Sequence, residues 1–280
     1  MRADLHLHST CSDGSLPVPE VIALARDRDL AVIGITDHDT VSHFALVNEH
    51  GPGSGLTVVP GVEFSTRLAE YELHLIGYCV NELDPELVTH LEKVRRKRLE
   101  RAREILERLA ARNVCIPPEE LDRIPANRTI GRVLIAHLIY NYGYVRSPDE
   151  AFNIYIGRNG SAYVPYAPAD AREVVELIAR TGGVSVFAHP SQEELAAAAD
   201  TLCEAGLQGI EAWRPRVYRA TLRAIKAKAD EKKLILTGGS DWHYEGGYYS
   251  LGDFHIDTRL LGEFFELAGI FPKSPHHQLD

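Results

Sequence analysis

Short β-branched runs alternate along the chain with segments whose apolar positions recur every three or four residues, the strand and helix rhythm of a parallel sheet or barrel. Ala3 to Leu7 predicts the first strand. Pro17 to Leu30 predicts a helix with the stripe Val21, Ile22, Leu24 and Ala25, and with Pro17 or Pro19 suited to its first turn. Ala31 to Thr36 reads as a buried strand, Thr40 to His50 as a helix, and Leu56 to Val62 as a strand interrupted by Pro60-Gly61. Glu72 to Val80 alternates again. The rhythm then changes: Asp84 to Asn113 is one long charged helical pattern, broken by Pro117-Pro118, with further helices expected at Ile130 to Asn141 and Pro148 to Ile156. No strand pattern returns before Ala162-Tyr163-Val164, so residues 84–163 read as a helical insertion between barrel parts 1–83 and 164–280.

After the insertion the alternation resumes, with helices expected at Ala169 to Thr181, Gln192 to Ala205 and Val217 to Lys232. Between them fall strands at Val184 to Ala188, Gly209 to Ala212 and Leu234 to Thr237. A last helix is expected at Arg259 to Ala268, followed by a frayed tail from Phe271 to Asp280. The fold class is therefore α/β.

Composition narrows the function classes. In 280 residues, 45% hydrophobic and 25% charged, no apolar run reaches the length of a membrane span, and the polar alternation of the first residues lacks the apolar stretch of a secretory signal. A cytoplasmic protein with no membrane partner is expected. Cys11, Cys79, Cys115 and Cys203 form no C-x-x-C pair and read as inert. A net charge of −10 argues against a DNA duplex as partner. No G-x-S-x-G elbow, Walker A loop or G-x-G-x-x-G is present, and Gly51 to Gly55 is a turn before a strand, the reverse of a phosphate loop.

The unusual number is thirteen His. Four polar clusters sit where predicted strands end: His6-x-His8 with Asp13, Thr36-Asp37-His38-Asp39, Ala188-His189-Pro190, and Ser240-Asp241-Trp242-His243. Glu63 and His74 add two more. Carboxyl ends of strands meet on one face of such folds, so residues distant in sequence converge there. His at i and i+2 on a strand share a side, and nitrogen with carboxylate oxygen and no thiolate suits Mn²⁺, Zn²⁺ or Fe²⁺. Separate core or loop histidines are the alternative, but apolar cores do not repeatedly admit His beside Asp.

These motifs, in order, resemble the PHP family, named for polymerase and histidinol phosphatase. Arg128-Thr129-Ile130-Gly131-Arg132, Ala151-Phe152-x-x-Tyr155-x-Gly157-Arg158 and Ala162-Tyr163-Val164-Pro165 resemble its small bacterial branch acting on 3′,5′-nucleoside bisphosphates and short RNA 5′ ends. The resemblance implies a distorted (β/α)7 amidohydrolase-like barrel with a helical insertion subdomain, and up to three divalent ions, manganese first, with zinc or iron as alternatives. It assigns His6, His8, Glu63 and Asp241 to one ion, Asp13, His38 and His243 to a second, and Glu63, His74 and His189 to a third. Asp13 stands where some relatives have His.

Such ions turn bound water into a nucleophile and neutralise charge on phosphate oxygens, so hydrolysis of a phosphoric ester is implied. His243 or a metal-bound water would protonate the leaving alkoxide. Asp37 and Asp39 are expected to orient imidazole N–H groups, unless Asp39 caps the helix near Thr40. Arg128, Arg132 and Arg158 are candidates to grip a second phosphate, and Tyr155, Tyr163 and Trp242 to stack on a base or to fill core. The run Lys93 to Arg112, nine basic and three acidic residues, is either a solvated face paired as Arg96 with Glu100 and Glu104 with Arg108, or an attractor for an RNA end. His276-His277 is a weak metal signal.

The expected reaction is removal of the 3′-phosphate from a small nucleotide such as adenosine 3′,5′-bisphosphate. The rivals are 5′-to-3′ trimming of short RNA, a histidinol phosphatase and a non-catalytic metal-binding regulator.

Overall fold

The structure, a computed structural model, describes residues 1–247 and 249–272; the expected tail beyond, with His276-His277, lies outside the described residues. The chain divides into two compact units, one formed by Met1–Val88 with Pro168–Asp280 and the other by Thr89–Ala167.

The first unit is built on strands β1 (Arg2–Leu7), β2 (Val32–Ile35), β3 (Thr57–Leu68), β4 (Tyr71–Tyr78), β5 (Ala169–Asp170), β6 (Val184–Phe187), β7 (Gly209–Trp213), β8 (Ile235–Gly238) and β9 (Ile256–Asp257). Eight of them follow one path, β8-β7-β6-β4-β3-β2-β1-β9, with β5 beside β3. The path nearly closes into a barrel. Leu7 bridges to Trp242, and His8 N–H donates to the Trp242 carbonyl at 3.0 Å, joining the end of β1 to the chain beyond β8. Trp242, a candidate for base stacking, is instead buried core between these segments.

Three pairings depart from the expected parallel order: β9 lies antiparallel to β1, and the other two involve β4. β3 and β4 form an antiparallel hairpin, and β4 pairs antiparallel to β6. The cause is the connection: residues 69–70 leave room for a tight turn, with Ala69 at φ 51°, and none for a crossover helix. β3 also runs past Val62 to Leu68, which puts Glu63 inside a strand.

The first unit also holds α1 (Val18–Asp27) and α2 (Phe44–His50), and α3 (Pro85–Ala110) starts in it and runs on as part of the second. The second unit continues with α4 (Glu119–Asp122), α5 (Arg132–Asn141) and α6 (Pro148–Ala151), the last running into a π-helical turn at Phe152–Ile156. Back in the barrel unit come α7 (Ala171–Arg180), α8 (Gln192–Glu204), α9 (Arg219–Lys232) and, after a 3₁₀ turn, α10 (Gly262–Ala268). α7 shows how the sequence builds a covering helix: Asp170 caps it by accepting from the Arg172 N–H, and Val174, Val175, Leu177 and Ile178 form its buried face. Gly239 permits the closest approach at the seam, since a Cβ there would lie 2.3 Å from His6 Cβ.

The second unit has its own core, including Ile105, Leu109, Ile135, Ile139 and Ile156. The strand expected at Ala162 to Val164 does not form. Ala162 and Val164 are buried in that core, and the Val164 carbonyl accepts from Arg101 at 2.8 and 2.9 Å rather than from a neighbouring strand. The Tyr163 carbonyl accepts from Arg108, and Lys97 donates to Ala167 at 3.1 Å. The basic run of α3 thus fastens the segment 163–167, an internal role besides the Glu104–Arg108 surface pair at 2.7 Å.

Candidate metal centre

β1 contributes His6, and the chain just past its end His8, both wholly buried, with Asp13 on the loop that follows. His38 and Asp39 follow β2, Glu63 comes from β3, His74 from β4, His189 from the end of β6, and Asp241 and His243 from the chain after β8. Three of these residues, Asp39 (φ 49°), His189 (φ 33°) and Asp241 (φ 56°), hold left-handed backbone, an unfavourable state that surrounding structure must enforce.

Three donor groups result. His6, His8, Glu63 and Asp241 form one; His8, Asp13, His38 and His243 a second; His38, Glu63 and His74 a third, each with its ligand atoms within 4.8 Å of one another. His189, expected beside Glu63 and His74, is not in the third group, although its Nε2 lies 2.9 Å from Glu63 Oε1 and 3.2 Å from His74 Nδ1. Glu63 joins the first and third groups: its Oε1 meets His74 at 2.8 Å, and its Oε2 meets His38 at 3.0, His8 at 3.2 and His6 at 3.3 Å.

The electrostatics are those of an interlocked array. Burial alone would protonate Glu63, but the imidazoles of His38, His74 and His6 hold it ionised, well below the usual carboxylate range. Burial would likewise strip the proton from His6; Glu211, Glu63 and Asp241 outweigh it and lift the imidazole well above its ordinary value. His243, which burial would lower, is raised to about 9 by its bond to Asp13. Burial would raise Asp13 and Asp241, and the surrounding histidines pull both well down instead.

A divalent cation fits this donor set. Nitrogen and oxygen atoms converge without a thiolate, and among them His6 Nε2 and Glu63 Oε2 are buried without a hydrogen bond of proper geometry. Buried polar atoms left so are costly unless something else binds them.

The supporting contacts differ from expectation. Asp37 does not orient an imidazole of the cluster. It accepts from Ser9 N–H at 2.8 Å and from the hydroxyls of Ser9 and Ser12 at 2.6 Å each, with His43 Nδ1 at 3.3 Å, and so pins the loop carrying Asp13. His43 itself is buried, with Nε2 2.8 Å from the Gly61 carbonyl and 3.1 Å from that of Ile35. Asp39 accepts from Ser65 N–H at 2.9 Å; α2 begins only at Phe44, so Asp39 is not its cap.

The imidazole orienter is Glu211 on β7, which the sequence reading missed. Its Oε1 accepts from His6 Nδ1 at 3.0 Å and its Oε2 from the His189 N–H at 2.8 Å, with the side chain 1% exposed. A Glu inside the apolar run Gly209 to Trp213 was the available signal. Asp4 was missed too. Wholly buried, it accepts from Ser240 N–H at 2.8 Å, and burial pushes its carboxyl up to about 6.

Arg128, Arg132, Tyr155 and Arg158 all belong to the second unit. Arg132 lies 5.8 Å over the Phe152 ring and 5.9 Å over that of Tyr163, and donates weakly to Ile156 at 3.5 Å. Tyr155 packs against that unit's core, Arg128 is half-buried and Arg158 is exposed.

Comparison with known proteins agrees with this chemistry. The PHP domain profile matches residues 4–110. A 3′,5′-nucleoside bisphosphate phosphatase of Chromobacterium violaceum is 30% identical over 252 residues, 87% of each chain. The 5′-3′ exoribonuclease Rnm of Escherichia coli is 31% identical over 196 residues, 69% of this chain and 67% of that one. A Bifidobacterium adolescentis structure described as a metal-dependent phosphoesterase superposes with a TM-score of 0.86 at 25% identity, covering 95% of this chain and 96% of its own. With its barrel, its convergent donors and these relatives, the chain belongs to the PHP family of metal-dependent phosphoesterases and is a metal-dependent phosphoric ester hydrolase.

Proposed function

We propose that the chain removes the 3′-phosphate of 3′,5′-nucleoside bisphosphates, such as adenosine 3′,5′-bisphosphate, releasing phosphate and a nucleoside 5′-monophosphate. The observation that carries this reading is the set of three overlapping donor groups, two of them joined through Glu63. The substrate choice is supported by the Chromobacterium relative, similar over most of both chains.

His6, His8, Glu63 and Asp241 would hold one cation, Asp13, His38 and His243 a second, and His74 with Glu63 and either His38 or His189 a third. Manganese is the proposed metal. When bound, the cations supply charge neutralisation for the phosphate oxygens and activation of water. Glu63 keeps neighbouring donors in register through its two oxygens, and Glu211 fixes His6 so that Nε2 presents its lone pair. His243 donates Nδ1–H to the Asp241 carbonyl at 2.9 Å, which leaves Nε2 as the ligand atom. With Nε2 holding a cation and the Nδ1 proton engaged by the Asp241 carbonyl, His243 would have no free proton for the leaving group, so we assign it to the ligand role and let water at the rim protonate the leaving alkoxide. Asp37 and Asp39 hold loops in place. Arg128, Arg132, Arg158 and Tyr155 are the proposed substrate-binding residues.

The test is phosphate release by manganese-loaded protein from nucleoside 2′-, 3′-, 5′- and 3′,5′-phosphates. Preference for a monophosphate over the bisphosphate would sink the reading. Faster release of mononucleotides from short 5′-phosphorylated RNA would replace it with the activity named for the E. coli relative.

A further inference from the structure

Within the barrel unit, beside the donor cluster, lies a cavity of about 670 Å³. His189, Glu211 and Asp241 line one side, so the space is continuous with the cluster, and Arg214 to Tyr218, the segment joining β7 to α9, lines another. The size is that of a small-molecule site.

The β7–α9 segment is locked to the metal centre. Arg214 donates to the carbonyls of His189 and Pro190, the latter at 2.9 Å. Arg216, exposed and held at φ 58°, is carried by the same short segment. α9 begins behind it with no side-chain cap and no acidic residue in its first turn, so its open N–H groups add to the positive potential of that wall. Three carboxylates line the cavity: Glu211 is bonded to His6 and His189, Asp241 to His8, and Glu193 is exposed at the start of α8. The positive wall therefore stands next to the cluster, where a group bound beside the reacting phosphate would lie.

We infer that the Arg214–Tyr218 segment is a second-anion subsite, which takes the phosphate that is not hydrolysed. The inference rests on the phosphatase reading above and adds to it where the second phosphate goes. Arg216 is the contacting group, its planar guanidinium suited to two phosphate oxygens. Arg214 is a positioning residue. The sequence alone gives this role to Arg128, Arg132 and Arg158, which belong to the second unit, whereas Arg216 belongs to the unit that carries the donors.

The experiment compares Arg216→Ala with the parent chain, both manganese-loaded, on adenosine 3′,5′-bisphosphate and adenosine 3′-monophosphate. The ratio of kcat/KM between the two substrates should fall on the order of tenfold, through KM for the bisphosphate. Binding of adenosine 5′-monophosphate, which keeps the second phosphate, should weaken by a similar factor relative to adenosine. An unmoved ratio together with unmoved 5′-monophosphate binding overturns the subsite. Failure of the parent chain to hydrolyse either ester sinks the phosphatase reading instead, and the binding comparison then still decides the subsite.

Discussion

Glu211→Gln tests whether the centre depends on an orienting carboxylate. In the parent chain both carboxylate oxygens accept, from His6 Nδ1 at 3.0 Å and from His189 N–H at 2.8 Å. Glutamine has the same shape but one acceptor and one donor group. If its oxygen keeps the His189 N–H, its NH₂ meets His6 Nδ1. That bond selects the tautomer with hydrogen on Nε2, the atom 3.3 Å from Glu63 and 3.4 Å from Asp241. The ligand lone pair is then blocked by a proton that must be moved before a cation can bind. Loss of such a supporting group costs about 10–100-fold in metal affinity, or ~1.4–2.8 kcal/mol. The assay is a chelator-competition titration with manganese and zinc, with metal per chain counted by elemental analysis. An affinity and stoichiometry equal to the parent's would refute the orienting role. A variant that fails to fold would show instead as a lost cooperative melt, which circular dichroism separates from a metal defect.

Other consequences are equally direct. Gly239→Ala places a methyl 2.3 Å from His6 Cβ, so β1 must shift; a stability loss of about 1–3 kcal/mol in urea is expected, with weaker metal binding. Asp37→Asn turns one accepting oxygen into a donor facing Ser9 or Ser12 and should cost about 1.5–3 kcal/mol, so an unchanged urea midpoint would contradict the pinning role. His43 is lowered by burial, which outweighs Asp37. The unfolded state therefore takes up its proton first, so this residue's contribution to stability falls as pH drops below its ordinary value near 6.5 and levels off beneath the folded value. His43→Gln should flatten that part of the pH–stability curve. Removing metal with a chelator should lower Tm, because the donors are then left crowded together; an unmoved Tm would show that the chain had held none.

Most of the site was legible because the candidate donors are polar residues within or just beyond strands whose other positions are apolar. His6 and His8 stand out by that contrast alone, alternating with Leu5 and Leu7. Glu211 carries the same contrast, but a single Glu has no second residue at i+2 to mark it. The parallel rhythm was readable wherever a helix separates strands, and misled at β3 and β4, where the turn is too short for one. Boundaries failed where bonding replaced propensity. Tyr163 and Val164 look like strand residues, yet their carbonyls go to Arg108 and Arg101, partners more than fifty positions away. Asp37 looked like a ligand's neighbour and proved to be a loop anchor, since two serines 25 and 28 residues earlier in the chain fold back onto it.

The seam between Leu7 and Trp242 joins segments more than 230 residues apart, and such long-range contacts are the slow ones to form. His8 sits on one side of it, Asp241 and His243 on the other. Donors to one cation thus straddle the line along which the barrel closes, which makes the metal a clasp on the fold as well as a reagent. The His8 amide, bonded across the seam to Trp242, becomes a reporter: its hydrogen exchange should slow as the centre fills, reading occupancy from the backbone without any substrate present.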